Sequence, residues 1–283
     1  LLTKVKAYSA WASAPTLLLD ALGRPDTDLI QIRNIDGLDP VKASVSTSPY
    51  GSVDGESYTG SSVPKRNIVL TLRPNPDWDN WTPETLRRLI YAYFMPKLAT
   101  RLVFDDDDLG LVEIFGIVES VENNIFSKDP EFIVSVICPD PYFTAVEPTI
   151  LTGQTIDYGG IPTVVPYEGN IETGFKLKVT WAENPVPLFI ALQVGDPIST
   201  YITIETTVDA TKYFEMNSVP RNKYVQSVNI NTAAITNLLT KVGLQIGSPW
   251  PVLQPGDNDI SVITFEEGTQ DFELSYYARY GGL

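Results

Sequence analysis

Histidine is missing from all 283 residues. No imidazole is available as a general base or metal ligand, and no Ser-His-Asp triad can form within the chain. Cysteine occurs once, as Cys138. That excludes an internal disulfide, a multi-cysteine zinc site and the disulfide-stapled secreted scaffolds. Basic residues are scarce: 20 Lys and Arg stand against 35 Asp and Glu, a net charge of −15. A protein whose main task is gripping nucleic-acid phosphates needs the opposite balance. Long apolar runs are missing too. The longest nearly apolar stretch, 186–192, is short and contains Pro187, far from the roughly 18 to 20 residues of a membrane span. The opening Leu-Leu-Thr-Lys-Val-Lys has no apolar segment after its lysines, so it does not read as a signal peptide. The expectation is a soluble protein synthesised in the cytosol. Neither Gly-x-Ser-x-Gly nor a Walker loop is present, and no local motif singles out a carboxylate pair for glycoside hydrolysis. The reading is therefore not an enzyme, with no cofactor.

What remains is ample for folding. Hydrophobic residues make up 43% and charged residues 19% of the chain, enough for packed cores, and the length suits about two domains. Strand patterns dominate. Ile68, Leu70 and Leu72 alternate with Val69, Thr71 and Arg73. Val41, Ala43, Val45 and Thr47 alternate with Lys42, Ser44, Ser46 and Ser48. Phe175, Leu177, Val179 and Trp181 alternate with Lys176, Lys178 and Thr180, a period-two pattern with one apolar face. Further strands are predicted at 101–104, 111–118, 131–138, 188–194, 200–208, 224–230, 258–265 and 271–279. Many short strands broken by Gly, Pro, Asn and Asp predict sandwiches or barrels.

One segment, about 82–95, is helical. Thr82 suits the N-cap and Pro83 the first helical position. Leu86, Leu89, Ile90, Tyr93 and Phe94 then fall on one face, and Pro96 ends the helix. Pro139, Pro141, Pro148, Gly153, Gly159, Gly160, Pro162 and Pro166 mark a change of texture. The expected division is a first domain at 1–145, a linker at 146–165 and a second, all-β domain at 166–283. The charge divides evenly between the halves, −7 over 1–145 and −8 over the rest.

Four consecutive acids, Asp105, Asp106, Asp107 and Asp108, lie between two strand patterns and read as a solvated turn, since neighbouring extended residues point in alternate directions. Cys138 sits in an apolar strand pattern and reads as core. The stretch 48–63 lacks an apolar core pattern and exceeds an ordinary hairpin loop. It reads either as a mobile surface loop or as an arm ordered by a neighbouring subunit. Tyr50, Gly51, Asp54, Gly55, Glu56 and Tyr58 are its candidate contact residues. In the second half, Trp250 between Pro249 and Pro251, and Tyr277 beside Tyr276, are candidates for stacking on a host glycan. Trp181 shares the parity of a core face.

The order of segments resembles the distal tail proteins of long, non-contractile-tailed phages. The resemblance rests on Leu2-Thr-Lys-Val-Lys, Ile35-Asp-Gly-Leu-Asp-Pro-Val-Lys-Ala, Gly55 to Tyr58, and Pro64-Lys-Arg-Asn-Ile-Val-Leu. It continues through Leu86-Arg-Arg-Leu-Ile-Tyr-Ala-Tyr-Phe-Met-Pro-Lys, Gly116-Ile-Val-Glu-Ser-Val-Glu with Phe126, and Cys138-Pro-Asp-Pro-Tyr-Phe. Asn237-Leu-Leu and Ser248-Pro-Trp-Pro-Val-Leu-Gln-Pro-Gly-Asp-Asn extend it into the second half. The stretch 7–28 lies outside the resemblance. The resemblance implies a mainly β fold: a tail-tube-like sandwich or split barrel flanked by one helix, followed by an outward-facing lectin-like or carbohydrate-binding-like β-sandwich. It implies a structural virion protein at the distal end of the tail. Such a protein forms a hexameric ring joining the tail tube protein to the tail-tip hub that carries the fibre and receptor-binding proteins. DNA is then a partner only in passage through the lumen, which six copies of so acidic a chain would keep from adhering. The alternative is a carbohydrate-binding module in host adhesion.

Overall fold

A computed structural model describes residues 2–9, 17–20, 29–51, 53–77, 79–124, 130–156, 160–180, 186–194, 200–208, 211–244, 250–264 and 270–283. Within it the chain forms two compact units: Leu1–Val146 together with Tyr280–Leu283, and Glu147–Arg279.

The first unit is a curled β-sheet with one helix. Its strands are β1 (Leu2–Ser9), β2 (Leu17–Asp20), β3 (Ile30–Asp36), β4 (Ser44–Pro49), β5 (Glu56–Ser62), β6 (Arg66–Pro74), β7 (Ala99–Asp106), β8 (Gly110–Asn123), β9 (Phe132–Cys138) and β10 (Phe143–Ala145). The last strand of the chain, β22 (Arg279–Tyr280), lies beside β10. The sheet order is β22-β10-β8-β7-β1-β2-β3-β6-β9. The fourteen-residue β8 serves twice. Its first half pairs with β7, from Gly110 opposite Asp106 to Ile117 opposite Ala99. Its second half pairs with β9, from Ile117 opposite Ile137 to Asn123 opposite Phe132, so the sheet curls back onto itself. The alternation in β6 does what its sequence predicts: Ile68, Leu70 and Leu72 are buried with Val134, Val136 and Phe104, and each such side chain removed from water contributes roughly 1.5–3 kcal/mol.

The helix α1 (Pro83–Phe94) starts where its cap residue stands. Thr82 is extended, and its side-chain oxygen accepts from the Thr85 N–H. Met95, extended ahead of Pro96, ends it, as the residue before a proline must avoid helical geometry. Leu86, Ile90, Tyr93 and Phe94 are buried, and the helix packs on β1, β6 and β8. Tyr91 reinforces this with an edge-on contact to Phe132 and a hydrogen bond accepted from the Asn123 side chain.

In phase with Ile68 on the buried face of β6 sits Arg66, only 1% exposed. Its Nε donates to Pro141 O at 2.6 Å. Its Nη1 serves Gly37 O at 2.5 Å, Asp39 O at 2.9 Å and Leu38 O at 3.2 Å, and its Nη2 donates to Gly281 O. The guanidinium carbon lies 4.5 Å from the centre of the Phe143 ring. One side chain thus satisfies carbonyls from the turn after β3, from the segment before β10 and from the C-terminal tail. The turn itself needs glycine. Gly37 has φ +90, and a Cβ there would lie 2.0 Å from Asn67 O.

The second unit is a pair of sheets with apolar inner faces. Its strands are β11 (Thr149–Gln154), β12 (Thr163–Tyr167), β13 (Phe175–Thr180), β14 (Val186–Val194), β15 (Thr200–Val208), β16 (Lys212–Asn217), β17 (Tyr224–Asn229), β18 (Ile235–Asn237), β19 (Val242–Leu244), β20 (Gly256–Thr264) and β21 (Asp271–Tyr276). They form a six-stranded sheet, β11-β21-β13-β16-β17-β18, and a five-stranded one, β12-β20-β14-β15-β19. The registers place Leu177, Leu274, Met216 and Val225 in one buried row. Val165, Ile202, Ile260 and Val262 are buried in the other sheet. Tyr167 and Tyr276 meet edge to face at 5.5 Å, and the Tyr276 hydroxyl donates to Pro166 O at 2.6 Å.

Two boundaries differ from the sequence expectation. The stretch 146–165 is not a linker, because β11 and the start of β12 lie in it. Both are edge strands, where Gly and Pro are tolerated, so composition mimics a linker. The second unit also stops before the end of the chain, since Tyr280–Leu283 belong to the first. The loop expected at 48–63 is in part a strand, β5, paired with β4. Trp181 and nearly all of 10–28 lie outside the described residues.

Replacing Arg66 by Met should lower the unfolding free energy by at least about 3 kcal/mol, because several buried carbonyls lose a charged donor together. Arg66→Lys should recover little, since an ammonium cannot span the fork. Denaturant titration followed by tryptophan fluorescence checks both.

Candidate functional site

The residues with chemical potential are dispersed. Cys138 is fully buried, and that burial pushes its thiol up to about 12 despite the nearby Arg66 charge. It pairs in register with Arg66 at the end of β9 and is held as core. The acidic run forms the turn between β7 and β8. Asp106 accepts from the Asp108 N–H at 2.9 Å and the Leu109 N–H at 3.1 Å, and Gly110 closes the turn at φ +69. Among the described residues no three His, Cys, Asp or Glu side chains gather where they could hold a metal ion.

Two surfaces of the first unit are built differently from their surroundings. β4 and β5 make a two-stranded ribbon of their own, in register from Ser44 opposite Ser62 to Pro49 opposite Glu56, with a bulge at Ser46/Thr47. Every residue of β4 is exposed, and β5 has only Ser57 and Gly60 half-buried. The ribbon is held by its own polar contacts. Thr59 donates to Ser46 O at 2.9 Å, the Tyr58 hydroxyl meets Ser61 Oγ at 2.7 Å, and Thr47 donates to Glu56. The tip closes where the Tyr50 N–H reaches Gly55 O at 3.4 Å, with Gly55 at φ +108. Of the six candidate contact residues, all lie on the tip or on the first strand positions after it. Val53 is 70% and Tyr58 66% exposed, and Val45 and Tyr50 are exposed as well.

The second surface is an apolar hollow of about 390 Å³ over β7 and β8, lined among others by Tyr8, Ala99, Arg101, Phe115, Ile117 and Pro139. Phe115 is 59% and Ile117 43% exposed, although each stands mid-strand opposite a β7 residue. Between them Gly116 faces inward, where a Cβ would lie 2.5 Å from Val136 Cγ1 and 2.9 Å from Cys138 Sγ. This close approach of β8 to β9 leaves no room for a side chain. Arg101 stacks over Tyr8 and forms an ion pair with Glu113 at the edge of the hollow. Sequence reasoning passed over this surface. The outward residues of 111–118 looked like one more apolar strand, and only the parity of Phe115 and Ile117 against Ile114 and Val118 carries the signal.

In the second unit the aromatic candidates separate. Trp250 is half-buried, with Lys223 Nζ 5.4 Å from its ring centre. Tyr277 is exposed, while its neighbours Tyr276 and Tyr280 are buried. No described contact joins Trp250 to Tyr277. A different feature stands on the polar face of the six-stranded sheet. It is an open groove of about 440 Å³ lined by Thr152, Gln154, Lys178, Thr180, Asp271 and Glu273. The register explains it: Thr152, Glu273 and Lys178 form one cross-strand row, and Gln154, Asp271 and Thr180 the next. Beside it Glu215, itself buried, pairs with Lys176 and accepts from Gln226 at 2.7 Å. The hydrogen bond and charge of Glu215 raise Lys176 above its ordinary value.

Set against solved structures, the chain aligns with SPP1 Dit (gp 19.1), a protein of the hub adsorption apparatus of phages that infect Gram-positive bacteria. The alignment spans 96% of this chain and 98% of that one, at 13% identity and a TM-score of 0.65. This is a Dit fold. Chains of the phage p2 baseplate in its activated conformation, with Sr and with Ca, align over 96% of this chain and 97% of theirs at 9% identity, with TM-scores of 0.43 and 0.42. No protein-family model matches the chain, and no curated protein sequence matches it. The Dit fold accounts for the mainly β architecture with one helix. At 13% identity the likeness lies in backbone course and not in side chains.

The native protein should resist thiol alkylation at Cys138 at pH 7 to 9, because the group is both buried and protonated there. Mass spectrometry should find the adduct only after denaturation; labelling of the native chain would contradict the core placement.

Proposed function

We propose that this chain is a non-enzymatic structural component of a phage tail tip, a ring-forming adaptor between the tail tube and the hub that bears the receptor-binding apparatus. The observation that carries this reading is the end-to-end fold match with SPP1 Dit, which includes both units and leaves only 4% of the chain unaligned. Physics agrees with a scaffold role. A closed ring needs one patch on each subunit to fit a different patch on the next, and the first unit offers two unlike exposed surfaces. Light scattering on the purified chain, alone and with its neighbouring tail proteins, should give a mass near six times 31.3 kDa. A chain that stays monomeric in both preparations would overturn the proposal.

A second reading, compatible with the first, assigns host glycan binding to the second unit. The groove favours it, because Asp271, Glu273 and Gln154 put planar hydrogen-bonding groups in an open cleft of ligand size. Trp250, half-buried under Lys223, gives it little support. A glycan array should show binding that Asp271→Ala with Glu273→Ala abolishes and Trp250→Ala spares; an empty array removes this reading.

A further inference from the structure

We propose that the polar face of the six-stranded sheet is a single binding track for a neutral oligosaccharide several rings long, with the groove as its first station. The inference rests on the glycan reading of the second unit and names the class and length of the ligand.

The register makes the groove the end of something longer. The row that holds Glu273 and Lys178 runs on to Glu215 in β16 and Gln226 in β17, and the row that holds Asp271 and Thr180 runs on to Tyr213. These side chains stand on the face away from the buried Leu177, Phe214 and Leu274. The outward residues of a sheet normally keep their charges in water. Glu215 does not: it is 5% exposed, tied to Lys176 and accepting from the Gln226 side chain at 2.7 Å. Taking a carboxylate out of water costs stability unless it is fully paired, and polar groups fixed in this way are pre-organised for a ligand. Lys178 joins this centre to the groove. It lines the groove, and its ammonium is held 4.7 Å from the centre of the Tyr213 ring. Donors and acceptors thus continue across β21, β13, β16 and β17 at the strand spacing of about 4.8 Å, close to the advance of one pyranose ring along a chain.

The chemistry selects the class. Carboxylates, carboxamides and an ammonium, each fixed in direction, pair with the hydroxyl groups of a sugar. Asp271 and Glu273 outnumber Lys178 in the groove lining, so a phosphate or a uronate meets a net negative charge there and is repelled. Farther along, Lys176 and Glu215 neutralise each other. A neutral chain meets no such penalty.

Calorimetric titration of the full-length chain tests this. The probes are cello-, malto- and N-acetylchito-oligosaccharides of graded length, with a hyaluronan tetrasaccharide as the anionic probe. Affinity for at least one neutral series should rise at least about tenfold from one ring to four, and its tetrasaccharide should bind at least about tenfold tighter than hyaluronan. Gln226→Ala, which lies outside the groove, should weaken binding of that neutral tetrasaccharide at least about tenfold, in a variant whose circular dichroism matches the wild type. Should the variant misfold, the length series on the wild type decides alone. Affinity that does not grow with length, or that Gln226→Ala leaves intact, overturns the extended track and leaves glycan binding at the groove standing. Hyaluronan bound as tightly as the neutral chains overturns the neutral class. Binding to none of the neutral series overturns the track; together with an empty glycan array it removes the glycan reading as well.

Discussion

The first unit depends on one buried guanidinium. Among the described residues Arg66 heads the large, fully buried side chains, and the carbonyls it serves come from residues 37 to 39, from 141 and from 281. Backbone carbonyls shut away from water need donors, and no other side chain offers five N–H groups in a planar fork. Desolvation pulls its pKa down from the ordinary arginine value, yet the charge is retained because the surrounding carbonyl dipoles and the Phe143 face receive it. The consequence is topological. The chain leaves the first unit after Val146 and returns at Tyr280, and β22 takes its place next to β10. Arg66 is the joint that holds the returning tail, so the second unit is in effect a large insertion between two neighbouring strands.

Such a joint suits a scaffold. The inserted unit has its own paired sheets and apolar inner faces, so its integrity does not rest on the first unit's core. The proposed structural role would use that division, with one part to associate and another to display. The buried thiol and the self-contained acidic turn fit the same picture. Groups that would be reactive elsewhere are here committed to packing or to turn geometry.

Much of this was legible in the residues. The alternation of Ile68, Leu70 and Leu72, the strand at Phe175–Thr180 and the capped helix were all visible, because one face of each is buried and the period records it. Arg66 was legible in principle, standing in phase with Ile68 on the face that turns inward, but a charged residue is by habit assigned to solvent. The second strand of the ribbon was hidden for the opposite reason. The alternation at 41–48 marked β4, although its residues are exposed on both faces, whereas β5, with neither face buried and rich in Gly and Ser, read as loop. The return of the last four residues leaves no local trace at all; it is written in one carbonyl, Gly281 O, that meets a side chain 215 positions away. The hollow at Phe115 escaped because burial, not composition, separates an outward apolar residue from an inward one.

The account stands on the claim that the chain acts as a shaped link between like copies and larger machine parts. Electron cryomicroscopy of the assembled particle, with this chain located in the density, tests it most directly. The expected map shows copies of this chain in a closed ring at the distal end of the tail. A single globule of this chain elsewhere in the particle would contradict it.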